Sequence, residues 1–164
     1  MKRRTFIKKN AIVTLAPFIT TGLLSRNKKI KSLSEKPFQL NYAPHFGMFE
    51  SMAGKDLMDQ IQFMHDQGFR SLEDNGMKNR SKKTQNDIAK KMEKLGMSMG
   101  VFVGHKIYWK EPNLTSGDKS LQDEFVENIR DSVEVAKRVN ATWMTIVPGH
   151  IDLKKEADYQ TANV

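Results

Sequence analysis

An α/β fold built on parallel strands is what this 164-residue sequence predicts, and three observations predict it. Short apolar runs of strand type alternate with longer segments whose apolar residues recur every three or four positions. Each helical segment closes on a glycine or an asparagine just before the next strand run. The turns are tight, and strands joined through helices in this way pair in parallel with right-handed crossovers.

The elements follow in order. Phe38-Gln39-Leu40-Asn41-Tyr42-Ala43 alternates like a short first strand, and Asp56 to Gln67 then sets Leu57, Ile61 and Met64 on one helical face, closed by Gly68. Phe69 to Glu73 is the second strand. Thr84-Gln85-Asn86-Asp87 reads as a capping box opening a second helix with Ile88, Met92 and Leu95 inward, closed by Gly96. Met97 to Val103 is the third strand. Ser120-Leu121-Gln122-Asp123 caps a third helix with Phe125, Ile129, Val133 and Ala136 as its buried stripe, and Asn140 stands where glycine stood twice before. Thr142 to Val147 is the fourth strand, and Met77, Met92, Met97 and Met99 are expected as core fillers.

Two closures satisfy this grammar, an open doubly wound sheet and part of a (β/α)8 barrel. No G-x-G-x-x-G follows the first strand and no G-x-x-x-x-G-K-[ST] occurs, so phosphate-cradling nucleotide folds lack positive support. A complete barrel needs about 250 residues. The expectation is therefore the N-terminal half of a (β/α)8 TIM barrel, four parallel strands with helices on the outer face, occupying residues 37–164. Glu156 to Val164 begins a further helix that stops without a cap, as expected of the N-terminal half of a longer protein.

Charge separates the chain into regions. Residues 1–36 hold ten Lys or Arg and one acid, Glu35, whereas residues 37–164 hold seventeen basic and eighteen acidic side chains. The formal net charge of +8 thus belongs to the front, and the nearly neutral body argues against nucleic acid as a partner. Lys2-Arg3-Arg4-Thr5-Phe6-Ile7-Lys8-Lys9 followed by the mostly apolar Ala11 to Leu24 has the layout of a secretory signal over residues 1–25, too short and too interrupted by Pro17 and Gly22 to span a bilayer. The paired arginines resemble a twin-arginine export signal, which implies transient contact of residues 1–25 with the membrane and translocase and a periplasmic or exported location. No Ala-x-Ala cleavage site follows Leu24, and residues 26–36 read as a basic linker. With no cysteine in the chain, any metal would be held by His, Asp, Glu or water, which suits a hard or borderline divalent ion.

Parallel strands all point one way, so the residues just after them gather on one face, where α/β enzymes place their sites. Those positions hold His45, then Glu73 with Asp74 and Asn75, then His105 with Lys106, then His150 with Asp152. Three of the four histidines fall there, and the fourth, His65, reads as a surface or boundary residue of the first helix. Gly104 and Gly149 precede two of these histidines and permit a sharp turn or a close approach. Tyr108 and Trp109 read equally as a sugar-stacking platform and as a simple cover of the strand ends.

The block Asp123 to Ala141, leading into Trp143-Met144-Thr145-Ile146-Val147-Pro148-Gly149, resembles the third helix and fourth strand of the xylose-isomerase-like TIM barrels, hydroxypyruvate-isomerase-like proteins above all. The run from Phe63 through Gly68-Phe69 to Glu73 agrees with it. The resemblance implies a divalent metal (magnesium, manganese, cobalt or zinc) and proton transfer between adjacent carbons of a small sugar or hydroxy-carbonyl substrate through an enediolate, that is, an isomerase or epimerase. It also implies that the metal-binding acids and catalytic carboxylates lie on later strands, beyond Val164, so that a chain of these residues would be inactive alone. His105 is the first substrate-facing expectation, followed by Glu73, His45, His150, Lys106 and Trp109. A related endonuclease branch places histidines of early strands on its metals, which leaves a metal role open to His105. The alternatives are a non-catalytic sugar-binding barrel module and an open-sheet nucleotide- or flavin-binding domain.

Overall fold

The structure, a computed structural model, describes residues 36–164, so the expected signal segment 1–25 and the linker up to residue 35 lie outside the described residues. The described chain is mixed α/β, with five α-helices and short strands that all pair in parallel. No helix among the described residues is long and apolar enough to cross a membrane.

Strand β1 (Ser71–Leu72) pairs with β2 (Ser98–Met99), and β3 (Val101–Val103) pairs with β4 (Trp143–Thr145), forming two two-stranded ladders. The registers are Ser71 with Ser98 and Leu72 with Met99 in one, and Val101 with Trp143 through Val103 with Thr145 in the other. The expected third strand is thus two strands that meet at Gly100. Its N–H donates to Leu72 O at 2.8 Å, and a Cβ there would lie 3.3 Å from that same oxygen and 3.4 Å from the Cβ atoms of Ala43 and Glu73. A side chain would wedge the two segments apart, and glycine lets one extended stretch serve both neighbours.

The expected first strand is not formed. Phe38, Leu40 and Tyr42, whose alternation suggested it, are exposed. Phe38 packs instead on the Tyr42 ring at 5.7 Å and on the Phe69 ring at 4.9 Å between centroids, so the alternation serves a local aromatic cluster. Pairing on this side is confined to one parallel bridge between His45 and Glu73, where the Glu73 N–H donates to Pro44 O at 3.1 Å.

Helix α1 (Glu50–Ala53) is a single turn, and α2 (Leu57–Asp66) is capped by Asp56, whose carboxylate accepts from the N–H groups of Met58 and Asp59. Ile61 and Met64 are fully buried on the expected face. Helix α3 (Lys82–Lys94) starts before the expected capping box: Ser81 is the cap, accepting the Thr84 N–H at 3.1 Å, while the Thr84 hydroxyl is drawn into a bond with the Ser81 hydroxyl. Helix α4 (Lys119–Val139) likewise starts at Asp118, which accepts both the N–H and the hydroxyl of Ser120. Its inner stripe is rotated from the expected one. Ser132, Val135 and Val139 are buried, Phe125, Ile129 and Ala136 flank them, and Val133 turns to solvent. The rotation brings the Ser132 hydroxyl onto Gly104 O at the end of β3. Asn140 ends the helix at φ 53°, the left-handed region that asparagine tolerates better than other side chains. Helix α5 (Ala157–Ala162) follows a loop after β4.

Ile61, Met64, Leu72, Met77, Ile88, Met92, Met97, Met99, Phe102, Val135 and Val139 form one buried apolar cluster. It joins α2, α3 and α4, each in contact with the next, to one face of the strands. All four methionines named as core fillers are in it. Along β3, Phe102 is buried in this core while Val101 and Val103 are half-buried on the opposite face, as the alternation of a strand requires. That second face leads to the strand ends.

Candidate functional site

The ends of β1, β3 and β4 open onto a cleft of about 720 Å³ lined by Glu73 after β1, Val103 and His105 at the end of β3, and Thr145 and Val147 at the end of β4. Three further segments complete it, the loop carrying Lys106, Ile107 and Trp109, the 3-10 turn Met77–Asn79 with Asn75 before it, and α4 through Asn128. The volume is that of a small-molecule site.

The structure brings Glu73 and His45 together. The His45 Nε2 lies 2.7 Å from Glu73 Oε1, across the single bridge that pairs their backbones, and both side chains are partly exposed. Glu73 lines the cleft, and His45 stands behind it, holding one carboxylate oxygen.

His105 is buried, and both of its ring nitrogens are bonded to backbone. Nε2 accepts the Val147 N–H at 2.8 Å and Nδ1 donates to Lys106 O at 2.8 Å. These two bonds together require the neutral tautomer protonated on Nδ1. The ring also lies edge-on to Phe125 at 4.8 Å. His105 therefore forms part of the cleft wall and braces the exit of β4, with neither nitrogen left for a ligand in this arrangement.

Lys106 is exposed and donates to the Tyr108 hydroxyl at 2.7 Å, and that hydroxyl donates to Glu124 Oε2 at 2.6 Å. The Tyr108 hydroxyl, and less strongly Glu124, hold the Lys106 pKa above the ordinary lysine value. This chain of contacts fastens the loop after β3 to α4. Trp109, 72% exposed, extends from the loop over the cleft rim. His150 lies apart from the cleft: its Nδ1 donates to Ile151 O at 2.6 Å, and its backbone ties to Glu111 O and to the Thr115 hydroxyl. Gly149 before it has φ 99°, and a Cβ there would stand 2.7 Å from the Asn113 Cβ and 3.0 Å from the Asn113 backbone nitrogen, so the close approach it permits is to Asn113.

Asp74 is buried and structural. It holds Arg80 through Nε at 2.5 Å and a second bond at 3.2 Å, and Arg80 lies over the Phe46 ring. Together with the Gly76 N–H on Asp74 Oδ1, this pins the loop that carries Lys78.

Lys78, Asn79 and Asn128 line the cleft and were not legible as site residues in the sequence. Lys78 Nζ donates to Asn128 O at 2.7 Å and to the Ser132 hydroxyl at 3.2 Å. Burial lowers its pKa below the ordinary lysine value, against an opposing attraction from Asp131. A signal for it did exist: Asn128 and Ser132, four apart, interrupt the apolar stripe of α4 on its inner side, and inner polar residues need a partner.

Among the described residues no three His, Asp or Glu side chains converge as a metal centre. Comparison of the chain with protein-family models, with curated proteins and with solved structures finds no match.

Proposed function

We propose that residues 37–164 are successive strand and helix units of a (β/α)8 barrel of the xylose-isomerase-like kind, and that the 720 Å³ cleft is the substrate-binding wall of a sugar or hydroxy-acid isomerase or epimerase. The observation that carries this reading is the cleft's position: it lies at the ends of parallel strands and takes side chains from β1, β3 and β4. The order of the strands supports the barrel over an open doubly wound sheet. With β2 and β3 as two parts of one extended stretch, the bridge at His45 and Glu73, the ladder from β1 to β2 and the ladder from β3 to β4 set each extended segment beside the next in the chain, whereas doubly wound sheets reverse their order at the binding crevice.

In this reading Glu73, fixed by His45, accepts a substrate hydroxyl, the neutral amides Asn75 and Asn79 donate to substrate oxygens, and Trp109 covers a C–H face of the substrate. The divalent metal that the resemblance implies does not fit the described residues as a ready centre, since no three ligands converge and both His105 nitrogens are taken. The part proposed for these residues is therefore binding and orientation. The charged and then apolar order of residues 1–25 supports export through a twin-arginine route.

The test is ligand titration of the full chain by NMR with three-carbon hydroxy-carbonyl compounds. Shifts concentrated at Val103, Val147 and the Trp109 indole, weakened about tenfold by Glu73→Gln for the loss of one or two good hydrogen bonds, are the expected result. Shifts confined to residues away from the cleft, or none, would falsify the reading.

A further inference from the structure

The helices pack on one face of the strands only. Leu72, Met99 and Phe102 belong to the buried cluster on that face. Trp143 stands beside Val101 in the ladder and so shares the opposite face, where it is 72% exposed.

Both edges of the strand set are open as well. β4 pairs with β3 alone. Thr145 O accepts the Gly104 N–H, and the Val147 N–H donates to His105, so the alternation of a strand turns the N–H and C=O groups of Met144 and Ile146 to the outer edge. At the other end, the segment before His45 meets β1 through the single His45–Glu73 bridge, and no described strand pairs with its outer side.

Neither edge carries the charges that ordinarily keep exposed strands apart. Residues 38–46 and 141–149 contain no Lys, Arg, Asp or Glu. Each edge region exposes large apolar side chains instead, Leu40, Tyr42, Met48 and Met52 at the first and Trp143, Ile146, Ile151 and Leu153 at the last. With seventeen basic and eighteen acidic side chains in residues 37–164, two such bodies meet without net repulsion.

We propose that a second copy of this chain supplies what both edges lack: about a two-fold axis along the strands, β4 of each copy pairs in parallel with the first segment of the other. The inference rests on the barrel reading above. The described strands form four units, with β2 and β3 as one stretch, and two copies complete the eight of a closed barrel with no edge left over. At roughly 200 Å² for a large apolar side chain, the exposed groups offer up to about 1,000 Å² at each junction, and two junctions reach the size of a stable interface. The strand face that floors the cleft, with Val103, Thr145 and Val147, then looks across at the partner copy, which becomes the cleft's far wall.

Sedimentation equilibrium of the full chain should give twice the chain mass and no larger species, because a closed ring has no free edge. Trp143→Lys sets a charge on the enclosed face and should weaken the dimer at least about tenfold, leaving the helix content of the released monomer unchanged. The chain has no cysteine, so introduced cysteines report the pairing directly. Asn41 and Thr142 are exposed at the two edges, and mixing Asn41→Cys chains with Thr142→Cys chains should give a cross-link from one variant to the other under a short thiol-reactive linker. Cross-links chiefly between two Thr142→Cys chains, or assemblies that grow beyond two, overturn the ring. A monomer at high concentration overturns the second copy altogether. Either failure leaves the cleft to its own ligand titration, where shifts at Val103 and Val147 would uphold the binding site without the dimer.

Discussion

His105 shows how a single side chain can look chemical in sequence and be architectural in space. It follows a strand and a glycine and sits among polar residues, the usual setting of a ligand or a base. Yet its two nitrogens join Val147 N–H and Lys106 O, substituting for backbone bonds that the loop after β3 cannot make. Removing the ring leaves a Val147 N–H without its acceptor and a void beside Phe125. His105→Ala is expected to lower stability by about 1–3 kcal/mol, read as a shift in the urea midpoint. An unchanged midpoint would return His105 to the ligand-binding role that its position first suggested. The contrasting case is Lys78, which has no motif around it and gains its interest only from what the fold sets beside it.

The helices were legible because their signals are local. Periodicity located α2, α3 and α4, and Gly68, Gly96 and Asn140 marked their ends, all three with positive φ. Their starts were less legible, since several Ser, Thr and Asp residues compete at each one: Ser81 prevailed over Thr84, and Asp118 over Ser120. The strands were legible as a set and not in extent. Strand length depends on which neighbour is present to pair with, and Phe38 and Tyr42 are used in ring packing while Leu40 stays exposed. In the cleft, residues directly after strands could be read in advance, whereas Lys78 and Asn128 arrive from a turn and a helix brought together by tertiary packing alone. Helix α4 offers a direct test of its own start. The Ser120 hydroxyl and N–H hold the Asp118 carboxyl below its usual pKa, so the cap's contribution is present above the ordinary carboxylate range and is lost as pH falls through the lowered folded-state value. Amide exchange in the first turn of α4 should speed up over that acidic window, and Asp118→Asn, which keeps a capping oxygen, should flatten the dependence. A first turn whose protection is indifferent to pH in the unaltered chain would contradict the assignment.

Across the whole described body, the apolar surface is unevenly distributed. The core gathers between the helices and one face of the strands, while Trp143, Ile146, Ile151 and Leu153, in and just after β4, stay exposed, Trp143 at 72% and Leu153 at 86%. Four exposed large apolar side chains within eleven residues of sequence favour association. The chain should therefore self-associate as its concentration rises, and the pair Trp143→Ser with Leu153→Ser should shift sedimentation toward the monomer without lowering the melting temperature by more than a few degrees. Sedimentation of the parent chain as a monomer at high concentration would show that the patch is inert.

One stretch of six residues carries more than its length suggests. Residues 98–103 complete one ladder before Gly100 and begin the other after it, so the two ladders are connected in series through that glycine. The first ladder delivers Glu73 to the cleft and the second delivers His105. The gap between the two walls is therefore gauged at Gly100: the jaws of this cleft share one pivot, and it stands outside the lining that a bound molecule would meet.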